Sequence, residues 1–245
     1  SARSRPDACT PLFRAMAQRG ELNAGLVWQR LLRGFRADNA GLVRYLADRL
    51  SEEAPDADEL MQWLRHPERL NEQPLPTSLT GERRTDFAAA VSHRLAHDDP
   101  AAARALLASR RGSALGLQRA STKRALERRI VWFMTIRGLD ESRDWRDQWL
   151  RQHGQGDLLE QRTRLAVREQ DWQALPAWLP RLDLAAKRSA RWQYWLGRAR
   201  LEEGRTESGH AALRRAAAQR TFYGFLAARQ LGEPYALNQK TPEPD

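Results

Sequence analysis

Side chains able to do chemistry are few and scattered in this 245-residue chain. Five histidines occur, His66, His93, His97, His153 and His210. Only His93 and His97 stand four apart, the spacing that puts two imidazoles on one helix face to hold zinc. Between them Arg94, Leu95 and Ala96 offer no glutamate as general base, so a solvated helix end is expected there rather than a metal site. No nucleophile triad, phosphate-cradling loop or dinucleotide fingerprint occurs, and Gly112-Ser113 and Gly154-Gln155-Gly156 read as loop glycines. The richest group is aromatic: Trp192, Tyr194, Trp195, Phe222 and Tyr223. Aromatic faces stack on pyranose rings, which makes this the candidate glycan-contact cluster. At helical spacing, core packing between helices is the expected reading, with Tyr194 or Tyr223 able to keep an exposed edge.

Three helices must position these rings. The first carries Trp192, Trp195, Leu196, Ala199 and Leu201 on an apolar stripe and stops at Gly204, which reaches left-handed dihedrals without a Cβ penalty. Thr206 is the expected cap of the second, with Gly209, Ala212, Leu213 and Ala216 on one face. The third starts at Thr221, should bury Phe222, Phe225, Leu226 and Leu231, and ends at Gly232. Gly197 and Gly209 let two of these helices approach closely. The spacing Leu196-Gly197, Gly204, Gly209, Leu213, Ala216 is close to a tetratricopeptide hairpin.

Helix signals continue through the rest of the chain. Asn23 caps a helix to Arg36 with Leu26, Val27, Leu31, Leu32 and Phe35 inward, and a second uses Leu42, Val43, Leu46 and Leu50. Leu60, Met61, Trp63 and Leu64 make a shorter one, stopped by Pro67. Helices are expected over about 82–97, 100–109, 117–137, 158–168 and 171–179, with 110–116 as a loop and Trp145 and Trp149 sharing a face. No stretch reads as a β-strand. Short helices joined by tight turns predict an all-α fold, an α-solenoid or superhelix of antiparallel helix pairs. The expected organisation is a single elongated helical domain over 1–240, with a sub-boundary at the proline-punctuated 71–81, and a tail or cut linker at 241–245.

The segment from Trp192 to Trp195, the hairpin after it and the run QRTFYGFLAARQLGEPYALN together resemble the superhelical region of the soluble lytic murein transglycosylases. EQDWQALPAWLPRL from Glu169 and RPDACTPLFRAMAQRG from Arg5 fit the same region in the same order. The resemblance implies a periplasmic scaffold, with peptidoglycan glycan strands and its own catalytic domain as partners, and no metal or organic cofactor. It implies a parent lyase that cleaves between N-acetylmuramic acid and N-acetylglucosamine, leaving a 1,6-anhydro product. For Cys9 it implies a disulfide to a cysteine further upstream; a small buried apolar side chain is the other reading.

The family's catalytic domain uses a Glu-Ser glutamate as general acid and base, then a Gly-Leu-Met-Gln segment and an Asn-Ala-Gly turn. Burial suits a carboxyl group to that task by raising its pKa toward neutrality. Here Glu141-Ser142 and Glu207-Ser208 are Glu-Ser pairs, and Asn23-Ala24-Gly25 and Asn39-Ala40-Gly41 are Asn-Ala-Gly triplets. Both triplets precede both pairs, Gly-Leu-Met-Gln is absent, and each fragment sits among charged, turn-like residues. They read as helix starts, and no catalytic residue is expected in this chain.

Apolar runs such as Ile130–Met134 fall far short of the about 20 residues that cross a bilayer, and the chain opens SARSRPDA without the apolar core of a signal peptide. The formal charge of +10 favours an anionic partner, and only Lys123, Lys187 and Lys240 of its 41 basic residues are lysine. A helical-repeat adaptor for proteins and a basic solenoid for nucleic acid remain the rival readings. The runs Arg128-Arg129 and Arg214-Arg215 read as solvated helix faces.

Overall fold

The computed structural model describes residues 23–50 and 55–237. Those residues are mostly helical and contain no strand, as the sequence predicts. Contacts divide the chain into two compact units, meeting at Met134 and Thr135. Cys9 and the tail at 241–245 lie outside the described residues.

In the first unit, α1 (Ala24–Arg36) buries Trp28, Leu31, Leu32 and Phe35, an i, i+3, i+4, i+7 stripe. Leu26 was expected inward but is 53% exposed. It lies two positions from Trp28, about 200° around the helix, so the two cannot share a face and the larger side chain takes the core. Asp38 adopts φ 57° and turns the chain into α2 (Ala40–Ala47). Next come α3 (Ala57–Arg65), a 3₁₀ turn (Pro67–Asn71) and α4 (Gly81–Asp98). The core of this unit centres on Phe87 of α4, fully buried. Its ring meets Phe35 at 5.4 Å, Trp63 at 6.2 Å and Trp28 at 6.3 Å. Residues 71–81 lie in this unit too: Leu75 and Leu79 are buried, and Arg111 Nε donates to the Leu70 carbonyl at 2.6 Å.

Pro100 opens α5 (Pro100–Ala108) under an Asp99 cap. Where a loop was expected at 110–116, Ser109 accepts from the Gly112 amide and starts a short helix, α6 (Arg110–Ala114). Along α7 (Ala120–Arg137), Leu126, Ile130, Phe133 and Met134 are buried, as their spacing predicts.

The second unit continues with α8 (Arg143–His153) and α9 (Asp157–Arg168). The helix expected over 171–179 is instead a turn, a four-residue helix α10 (Leu175–Trp178) and a 3₁₀ turn (Leu179–Arg181), because Pro176 and Pro180 each remove a backbone donor. After α11 (Leu184–Arg188) come the three helices of the C-terminal hairpin: α12 (Ala190–Glu202), α13 (Thr206–Ala217) and α14 (Phe222–Leu231). Three details differ from expectation, the first being that Phe225, Leu226 and Leu231 are only part-buried. Thr206 is the first residue of α13, and Arg205 precedes it without a side-chain cap bond. Phe222 is 69% exposed. Thr221 caps α14, whose inward face is Gly224, Ala227 and Ala228, and Phe222 lies about 200° from Gly224 on that wheel.

Gly204 (φ 75°) turns the chain between α12 and α13, which cross on bare backbone. A Cβ at Gly197 would lie 2.7 Å from Leu213 Cγ and 3.0 Å from the Gly209 carbonyl. One at Gly209 would meet Leu201 Cγ at 2.8 Å and the Gly197 carbonyl at 3.1 Å. Gly197→Ala is therefore expected to cost about 1–3 kcal/mol through overpacking. By contrast Gly41→Ala, whose Cβ meets nothing closer than Asn39 Oδ1 at 3.8 Å, should gain up to about 1 kcal/mol of helix propensity. Thermal melts followed by circular dichroism check both signs; a neutral Gly197→Ala would mean that the helices part freely.

Candidate functional site

Neither Glu-Ser pair is built as an acid–base site. Glu141 is exposed just before α8, and Glu207 is exposed in the first turn of α13. Both Asn-Ala-Gly triplets are helix caps: Asn23 Oδ1 accepts from the Leu26 amide at 2.9 Å and Asn39 Oδ1 from the Leu42 amide at 3.0 Å. A carboxyl group that is held above its usual range, Glu59, owes this to partial burial and then to the charge of Asp56. It sits in the first turn of α3, where its backbone amide donates to the capping side chain of Asp56.

The histidine pair fares no better. His93 is not at a solvated end but half-buried on α4. Its pKa is pushed down to about 3, by burial first and then by the charges of Arg129, Arg36, Arg94 and His97. Three guanidinium groups around an imidazole repel a metal cation. His97 turns its ring edge onto Phe133 at 4.8 Å and places Nδ1 2.6 Å from Asp98 Oδ1. Among the described residues no cluster of three or more His, Cys, Asp or Glu stands in position to hold a metal.

Of the aromatic candidates, Tyr194, Trp195, Tyr223 and Phe222 come together. Tyr194 is buried in the hairpin core, whereas Trp192, also buried, lies about 200° from it around α12. Trp195 and Tyr223 are part-exposed, with Phe222 outermost. Tyr194 meets Trp195 at 5.2 Å and Tyr223 at 5.8 Å, so the buried ring backs the outer pair. Trp172, just before α10, extends the outer layer by stacking on Trp195 at 6.3 Å with 18° between planes.

A buried ion triad escaped the reading of the sequence. Asp147 on α8 accepts Arg162 of α9 through both oxygens, at 2.8 and 2.9 Å, and Arg146 Nε at 3.1 Å. Arg146 and Arg162 are 1% and 2% exposed. Arg146 also donates to the Leu139 carbonyl at 3.0 Å, and Arg162 lies over the Trp178 ring at 5.0 Å. The signal was present: Arg162 occupies a stripe position between Leu158 and Leu159 on one side and Leu165 and Ala166 on the other. A charge there needs a partner from the next helix. No reacting atom could reach this triad, so it is architecture rather than chemistry.

Comparison with known proteins places this arrangement. No family model matches the chain. The soluble lytic murein transglycosylase of Escherichia coli strain K12 is 28% identical over 99% of the chain. In structure, all of the chain superposes on the 70-kDa soluble lytic transglycosylase of E. coli, with a TM-score of 0.72 at 25% identity. It does so also on an inactive variant of the lytic transglycosylase Slt from Pseudomonas aeruginosa, with a TM-score of 0.75 at 27% identity. The chain is homologous to the soluble lytic murein transglycosylases. It spans 38% of the E. coli sequence and 40% and 39% of the two solved chains. The resemblance carried by the aromatic hairpin thus extends along nearly the whole chain, and the all-helical fold is shared with these transglycosylases. No described helix is long and apolar enough to cross a membrane.

Proposed function

We propose that this chain is a non-catalytic helical scaffold of a periplasmic lytic transglycosylase acting on peptidoglycan. The parent activity is cleavage of the bond between N-acetylmuramic acid and N-acetylglucosamine with a 1,6-anhydro product. The partners are glycan strands and the enzyme's own catalytic domain. Two observations support this reading: the chain aligns almost end to end with 38% of such an enzyme, and its two Glu-Ser glutamates are solvent-exposed near helix starts. An acid–base glutamate works from a desolvated pocket, whereas Glu141 and Glu207 are exposed to solvent.

The pure chain incubated with isolated sacculi should therefore release no anhydro-muropeptide detectable by mass spectrometry. Product that disappears on Glu141→Gln or Glu207→Gln would overturn the non-catalytic reading.

A further inference from the structure

Trp195 and Tyr223 pack against the hairpin core on one side and keep solvent exposure on the other. Beside the buried Tyr194, four further rings run across the surface in unbroken sequence. Trp172 stacks on Trp195 at 6.3 Å, Trp195 meets Tyr223 at 6.4 Å, and Tyr223 meets Phe222 at 5.3 Å. All four keep solvent exposure, rising to 69% at Phe222. Burying an exposed phenyl ring on a partner is favourable, and leaving it in water is a standing cost. The edge of the strip is cationic. Arg191 lies 5.7 Å from the Tyr223 ring centre, and Arg198 Nη1 donates to the Tyr194 hydroxyl at 3.4 Å. Glu160 is shared by Arg164 at 2.7 Å and Arg191 at 3.6 Å, so two guanidinium groups face one carboxylate and one positive charge is in surplus. Glu202 faces Arg198 at 3.6 Å and balances it.

We infer that Trp172, Trp195, Tyr223 and Phe222 form a binding platform for an acidic amino-sugar glycan, with Arg191 meeting its carboxylates. The occupant follows from the chemistry. Pyranose rings present flat C–H faces that pack on aromatic faces, and a row of rings suits a polymer of them. The surplus guanidinium selects a polymer that carries carboxylates. A second copy of the chain is disfavoured, because each copy brings a net charge of +10. The inference rests on the peptidoglycan reading above and gives it a place on this chain.

The test is co-sedimentation of the full chain with purified sacculi, alongside Phe222→Ala, Arg191→Glu and the control Tyr45→Ala. Tyr45 is 53% exposed in the first unit, so the control removes a comparable ring elsewhere. Phe222 and Arg191 are both solvent-exposed, and circular dichroism checks that their variants fold. Each should weaken the apparent Kd about three- to tenfold, with Tyr45→Ala unchanged. If the wild type sediments and both variants match it, the platform is wrong and the peptidoglycan reading stands. If the wild type does not sediment at all, both fall. If a single-stranded oligonucleotide binds more tightly than sacculi and the same variants lose it, the strip serves base stacking and the glycan assignment is overturned.

Discussion

Replacing Asp147 by asparagine is expected to cost about 3–5 kcal/mol of stability, because it leaves two buried guanidinium groups without their counter-ion. Arg146 and Arg162 cannot turn to water at 1% and 2% exposure, and the amide keeps the volume while losing the charge. The midpoint of urea unfolding measures the loss. A companion variant, Arg146→Met with Asp147→Leu and Arg162→Met, should recover most of it, since replacing a whole buried ionic group by apolar side chains is often neutral. Loss below about 0.5 kcal/mol in Asp147→Asn would mean that the triad is solvated. The pH dependence has a definite sign. Burial alone would favour the neutral acid, but the bonds and charge of Arg162, then those of Arg146, outweigh it and hold the carboxyl below its usual range. A folded-state pKa below the unfolded value of about 4 makes the contribution whole above that pH and drains it as pH falls through the folded value. The gap between wild type and Asp147→Asn should therefore narrow in acid and stay constant near neutrality.

Phe87→Ala should be comparably severe, about 3–5 kcal/mol. The ring is fully buried and touches Trp28, Phe35 and Trp63, so its removal opens a cavity bounded by three large side chains on two other helices. Because two of those neighbours are indoles, tryptophan fluorescence reports the change directly. Leu26→Ala, on the exposed side of α1, should stay within about 0.5 kcal/mol. Equal effects at the two sites would show that the stripe on α1 had been assigned to the wrong face.

Much of the helical layout was readable from spacing. Asn23, Asn39 and Thr221 cap where polar side chains meet an apolar stripe, and Gly204 and Gly232 end helices with positive φ. The Gly197–Gly209 crossing was readable as well, since two glycines facing each other across a hairpin have few other uses. Faces were harder where a helix had apolar residues all round: Leu26 and Phe222 are apolar, yet each sits opposite a better stripe. The ion triad was legible only in part: Arg162 on the stripe of α9 calls for a counter-charge, but the sequence does not say that Asp147 of α8 supplies it. Of the aromatic cluster, Tyr194, Trp195, Phe222 and Tyr223 were readable as neighbours from the sequence, but Trp192 shares no face with Tyr194, and Trp172, 20 residues before Trp192, joins only through packing.

The hairpin of α12 to α14 also bears on how the chain finds its fold. Only three residues separate α12 from α13, whereas roughly 45 separate α1 from α4, which pack together around Phe87. Loop-closure entropy grows as the logarithm of length, so the longer closure costs about 2 kcal/mol more before any contact repays it. Low sequence separation speeds folding. The glycine crossing therefore lets the C-terminal helices assemble from neighbours alone, while the aromatic cluster around Phe87 must wait for a distant segment to arrive.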